Sequence, residues 1–155
     1  MGLNALGFPD IEAFLYKTSN QSTTKSVAAN VTWDTALFDT AGFFDSAVSN
    51  TNITIPIGGV YFVICSIEWE AGATGYRQHT LRLSDNTNLM RYNNLPVTAG
   101  GVQSHIVLSG VGRFNAGDVV YLEVEQTDKT PFLLQGGDQW DTSFYIRLLS
   151  LTEAS

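Results

Sequence analysis

Apolar and polar residues alternate along most of this chain with a period of two, the signature of extended strands. The clearest run is Val60–Glu70. There Tyr61, Val63, Cys65, Ile67 and Trp69 fall on one face, and Val60, Phe62 and Ile64 on the other, before Glu68 and Glu70 return that face to solvent. No helical period persists beyond two turns. Asp10–Lys17 could wind one turn on Ile11, Phe14 and Leu15, but a strand over Ala13–Lys17 agrees better with the rest.

Gly, Asn, Asp and Ser clusters punctuate the runs. The pattern predicts strands at Ala13–Lys17, Val31–Asp34, Asn52–Pro56, Val60–Glu70 and Tyr76–Ser84, then at Leu89–Tyr92, Val102–Arg113, Val119–Gln126 and Thr142–Leu151. Thr18–Lys25 reads as a polar loop, and Gly72–Gly75 as a hairpin-like turn. Pro56 suits a strand end, because it cannot donate to a ladder. About nine short strands with frequent turns predict an all-β, two-sheet antiparallel sandwich or jelly roll.

Two strands break the simple pattern. Val60–Glu70 is apolar on both faces over much of its length. Thr142–Leu151 places Phe144, Ile146 and Leu148 on one face and Tyr145 and Leu149 on the other, with Arg147 between them. A lone antiparallel sandwich normally keeps one sheet face polar. A second apolar face needs a cover, either the chain's own N-terminal arm or loops, or a subunit interface. This predicts Phe62, Ile64 and Tyr145 at an interface, joined by Val60.

Composition narrows the function. The chain has 155 residues, 44% of them hydrophobic and 15% charged, with a formal net charge of −7. That suits one folded domain and excludes a disordered tail. An acidic chain lacks the basic footprint of a nucleic-acid binder. No apolar run reaches the roughly 18 residues of a membrane span. Cys65 is the sole cysteine, so an intramolecular disulfide is excluded, and its apolar neighbourhood predicts a buried thiol. The first nine residues do not read as a secretion signal.

Candidate chemistry is sparse. His79 and His105 each fall inside a predicted strand and read as structural. There is no Gly-x-Ser-x-Gly elbow, and neither Gly100-Gly101 nor Gly136-Gly137 leads into a phosphate loop. Asp34, Asp39 and Asp45, and separately Asp138 and Asp141, have the oxygen chemistry calcium uses, without EF-hand spacing. Aspartates at turns more commonly bond their own backbone. The pairs Glu68/Glu70 and Glu123/Glu125 read as solvated strand faces rather than glycosidase carboxylates. No catalytic residue, metal or cofactor is expected. Trp33, Tyr76, Tyr92 and Trp140 lie beside predicted turns, where aromatic rings can stack on a sugar or anchor a partner.

Several motifs, in order, resemble one superfamily. Gly59-Val60-Tyr61-Phe62-Val63 resembles the Gly-x-Tyr-x-Phe signature of the complement globular-head domain. Phe114–Leu122 is similar to its Gly-Asp segment, and Thr142–Leu149 to its closing strand. Phe38-Asp39-Thr40-Ala41-Gly42-Phe43-Phe44-Asp45 resembles a loop of bacterial and phage members. The resemblance spans about residues 13–151. The family's collagen stalk is absent, and its Phe-Ser-Gly pattern is replaced by Thr142-Ser143-Phe144.

The resemblance implies a tumour-necrosis-factor-like jelly roll (13–151) assembled as a homotrimer, with an N-terminal arm (1–12) and a C-terminal tail (152–155). It further implies a non-enzymatic virion protein, a trimeric capsid decoration (cement) protein of a bacteriophage, assembled in the host cytoplasm. Leu3, Leu6 and Phe8 would dock the arm on the major capsid protein or another virion protein. The alternative is the receptor- or glycan-binding tip of a phage fibre or baseplate, with Trp33, Tyr76, Tyr92 or Trp140 contacting a host-surface glycan.

Overall fold

The computed structural model describes residues 10–72, 74–94 and 103–151, which form twelve strands. They are β1 (Glu12–Tyr16), β2 (Gln21–Thr23), β3 (Ala29–Asn30), β4 (Thr35–Asp39), β5 (Ile53–Thr54), β6 (Gly59–Trp69), β7 (Arg77–Leu83), β8 (Asn88–Asn94), β9 (Ser104–Phe114), β10 (Val119–Gln126), β11 (Phe132–Leu134) and β12 (Ser143–Leu151). No described residue is helical. Two antiparallel sheets result. One runs β2-β11-β6-β12-β1-β4, with β9 on the other side of β6. The second runs β3-β10-β7-β8, with β5 also on β10.

The period-two reading of β6 holds along its whole length. Tyr61, Val63, Cys65, Ile67 and Trp69 are all buried to within 1% exposure. They meet Ala13 and Leu15 of β1, Phe144 and Ile146 of β12, and Leu81, Val120, Leu122 and Val124 of the opposite sheet in one core. Each such side chain contributes about 1.5–3 kcal/mol by leaving water. The same alternation in β1 carries Lys17 inward. Its ammonium is rescued by the Thr32 carbonyl at 2.7 Å and hydroxyl at 3.0 Å, with the Asp34 carboxylate 3.9 Å away. Burial lowers the Lys17 pKa, and Asp34 partly restores it.

The motif residues behind the resemblance turn out to be structural. A β-carbon on Gly59 would strike the Leu148 side chain and the Ser150 carbonyl, so only glycine lets β6 start beside β12. Tyr61 donates its hydroxyl to the Ile57 carbonyl at 2.6 Å and packs edge-on to Phe43 and Phe114. Asp39 closes its loop by accepting the backbone N–H groups of Ala41, Gly42, Phe43 and Phe44 at 2.8–3.3 Å. Gly42 supplies the left-handed turn at φ +79°.

Three expectations are corrected. Gly72–Gly75 is no hairpin: β6 and β7 lie in different sheets, and this segment carries the chain across the sandwich. Val31–Asp34 is not a strand. Val31 donates to Leu122 and Trp33 to Asn50, so its amides serve two partners instead of one ladder. The polar loop Thr18–Lys25 contains β2, which pairs with β11. Thr23 is its one fully buried side chain, so β2 carries no apolar alternation to read.

Candidate functional site

The core uses one face of the seven-stranded sheet, and among the described residues no strand covers the other. Register places the outward residues in rows. Ser109, Ile64, Tyr145, Phe14 and Phe38 align across β9, β6, β12, β1 and β4. The next row holds Val111, Phe62, Arg147 and Glu12, and Val60 follows on β6 opposite Arg113. The four residues expected at an interface, Val60, Phe62, Ile64 and Tyr145, therefore share one surface and are half-buried within it. Phe14 and Phe38 lie 6.1 Å apart, and the Tyr145 ring is 6.5 Å and 6.4 Å from them. Val107 and Val111 of β9, 56% and 62% exposed, extend the patch. Local pattern alone does not single out Phe14, Phe38, Val107 and Val111. Each looks like an ordinary outward residue until register gathers them.

Charge rims this patch. Tyr145 donates to the Glu12 carboxylate at 2.7 Å, and burial together with Glu12 pushes its pKa up to about 12. Arg147 reaches Asp10 at 3.1 Å. Towards the other end, the row Val107, Ser66, Ser143, Tyr16 and Thr35 is largely polar. There the Ser66 hydroxyl meets His105 Nε2. That pair is a nucleophile and a base in contact, which the local pattern had missed. Glu68 stands opposite His105 in the ladder, and burial, then Asp141, raises its pKa. Ser66 lies mid-ladder between Val107 and Ser143, where the neighbouring backbone N–H groups serve the sheet rather than converge on an oxyanion.

The aromatic candidates separate. Trp33 is buried, 1% exposed, and packs on Phe144 with ring centroids 5.9 Å apart. It follows a turn in sequence, but like Val31 two residues before it Trp33 points into the core, so it is no ligand-loop residue. Tyr76 is half-buried and donates to Glu125 at 2.9 Å, beside the five-stranded sheet. Tyr92 is 44% exposed on β8, the edge strand of that sheet. Trp140 is 70% exposed in the loop before β12, on the other sheet. It shares an open concavity of about 250 Å³ with Tyr16, Thr18, Gly137, Asp138 and Gln139. These four rings do not form one loop cluster.

Neither acidic grouping gathers a metal site: among the described residues no cluster of three His, Cys, Asp or Glu could hold an ion. Asp39 is occupied by backbone N–H groups, and Asp45 by the N–H of Ala47 at 2.9 Å. Asp34 accepts from Thr18 and Ser19. Burial alone would raise its pKa, but those donors and Lys17 outweigh it and hold the carboxyl below its usual range. Leu3, Leu6 and Phe8 lie outside the described residues.

Solved structures share this arrangement over nearly their whole length. The Eiger TNF of S. frugiperda superposes with a TM-score of 0.71 at 14% identity, over 94% of this chain and 96% of that one. The fold is the tumour-necrosis-factor-like jelly roll. Murine APRIL follows with a TM-score of 0.69 at 12% identity, over 91% of this chain and all of that one. The globular domain of zebrafish complement 1qA protein gives 0.63 at 14% identity, over 91% and 98%. No known family profile matches the chain, and no curated protein matches it in sequence. The likeness to these jelly rolls is therefore one of fold. The expected all-β, two-sheet jelly-roll fold is correct.

Proposed function

We propose that this chain is a non-enzymatic assembly module that closes into a homotrimer through the outer face of the seven-stranded sheet. The observation that carries this reading is the row Ile64, Tyr145, Phe14 and Phe38 with Phe62 and Val60 beside it. These lie on a sheet whose other face already fills the core. Contiguous apolar patches of this kind mark interaction surfaces on folded domains. The polar rim of Glu12, Arg147, Asp10, Ser66 and His105 fits the anatomy of an interface, with an apolar centre and a hydrated margin. A threefold arrangement repeats one heterologous contact until it closes.

Within that reading, the trimer serves as a capsid decoration protein of a bacteriophage virion, bound to a capsid or other virion protein through the arm bearing Leu3, Leu6 and Phe8. This placement is supported by the sequence resemblance to bacterial and phage members over Phe38–Asp45, with Asp39 and Gly42 forming the turn that the motif requires.

Light scattering on the purified chain tests the assembly. The expected mass is that of three chains, and Ile64→Glu, whose cross-strand neighbours Tyr145 and Ser109 are not cationic, should reduce it to one by burying a carboxylate without a partner. A monomeric wild type refutes the trimer and assigns the face to the chain's own arm. Sedimentation with empty phage capsids, comparing full-length chain with one lacking residues before Ile11, then tests the virion role. A trimer that ignores capsids in both forms refutes that part alone.

A further inference from the structure

We propose that the concavity around Trp140 binds one neutral sugar residue, a pyranose stacked on the indole. The site is distinct from the apolar patch: the polar row through Tyr16, Ser143 and Ser66 lies between them. Trp140 is the most conspicuous misfit on the surface, a large aromatic ring 70% exposed. Its loop holds it there. The Trp140 N–H donates to Asp138 Oδ1 at 2.7 Å, the Gly136 N–H to Asn20 at 2.9 Å, and the Gly137 N–H to the Lys17 carbonyl at 3.2 Å. A β-carbon on Gly136 would press on the Ser19 carbonyl and on Lys17, so the loop is seated tightly against the strand that supplies Tyr16.

The lining chooses the ligand class. A sugar ring offers an apolar C–H face and a girdle of hydroxyls that both donate and accept. Trp140 supplies a flat apolar platform for the first. For the second, the Tyr16 hydroxyl, the Gln139 amide and Asp138 Oδ2 have no hydrogen-bond partner among the described residues, Asp138 Oδ1 being held by the Trp140 amide. A purely apolar ligand would leave these groups unpaired, which is costly. An anionic ligand would meet Asp138, with Asp141 next in the loop and no cationic side chain lining the hollow. At about 250 Å³ the hollow falls below the roughly 300–1,000 Å³ of pockets for drug-sized ligands, which suits a single ring.

The test is saturation-transfer NMR on the full chain with free glucose, galactose, mannose, N-acetylglucosamine and N-acetylneuraminic acid. The expected result is transfer to at least one neutral sugar, with a Kd on the order of millimolar as suits so small a ligand. Trp140→Ala should lose at least tenfold in affinity at unchanged mass by light scattering. Gln139→Ala should weaken binding less, and keeps the test readable if the tryptophan variant does not fold. No transfer to any neutral sugar, a preference for the anionic one, or full binding by both variants overturns the proposal. A fall in mass on Trp140→Ala also overturns it, by assigning the ring to a subunit contact. Sugar binding and mass are read separately on the same sample, so the failure of one is distinguishable from the failure of the other.

Discussion

His79→Gln should abolish most of the loss of stability that this protein suffers between pH 7 and pH 5. His79 sits in the core, 1% exposed, its ring stacked on Trp69 at 5.9 Å between centroids. Trp69 donates its indole N–H to His79 Nε2 at 2.8 Å, so the neutral ring carries its proton on Nδ1. A second proton on Nε2 would oppose that N–H and place an imidazolium in a dry interior. Burial first, and then the Arg77 guanidinium, lower the His79 pKa from 6.5 to about 3. The unfolded chain takes the proton near pH 6.5, and the folded chain resists it until about pH 3. Within that window the unfolded state binds more protons, so stability falls as pH falls. At roughly 1.4 kcal/mol per pH unit, reaching pH 5 removes about 2 kcal/mol, a large share of the stability typical of a domain. Asp34 does not enter this window. Its contribution is lost only as pH drops through its depressed folded value, below the usual carboxylate range. Urea unfolding followed by tryptophan fluorescence at pH 7.5 and 5.0 measures the difference, at one fixed protomer concentration because the proposed assembly would couple to folding. Glutamine keeps an acceptor for Trp69 and cannot charge. The reasoning is refuted if the wild type is equally stable at both pH values, or if His79→Gln loses as much as the wild type.

Asp39→Ala strips the acceptor from the backbone N–H groups of Ala41, Gly42, Phe43 and Phe44, and should destabilise the chain by about 2–3 kcal/mol. For a chain of this size that lowers Tm by roughly 5–10 °C; an unchanged Tm by calorimetry would show the loop to be closed by other contacts. Cys65 is fully buried, and burial alone pushes its thiol pKa up. Iodoacetamide should therefore leave the native protein unmodified at neutral pH and label it only in denaturant, whereas rapid native labelling would contradict the packing of β6.

Much of the architecture was legible because strand alternation is a local property. β6 reveals its core face and its apolar second face within eleven residues, and β12 does the same from Ser143 to Leu151. From that pattern Val60, Phe62 and Ile64 fall on the second face of β6 and Tyr145 on the second face of β12, and pairing then makes the two faces one surface. Turn chemistry was partly legible too: Asp39 was expected to bond its own backbone and does so. What the pattern could not give was the partner of each strand. Gly72–Gly75 looks like a hairpin turn whether the next strand folds back beside β6 or crosses to the other sheet. Trp33 looks like a loop aromatic until Phe144 is seen packed against it.

Sequence alone determined that this chain forms antiparallel strands with one crowded core face and a second apolar face on two of them, because side-chain direction alternates residue by residue. Only the tertiary structure decided which strands are neighbours. Pairing joins Phe14, Tyr145 and Ile64 across β1, β12 and β6, residues far apart in the chain, and it brings Tyr16 beside Trp140. Backbone hydrogen bonds are the same for every strand, so the choice among partners falls to the burial of whole faces, a sum over the entire sandwich that no local window contains.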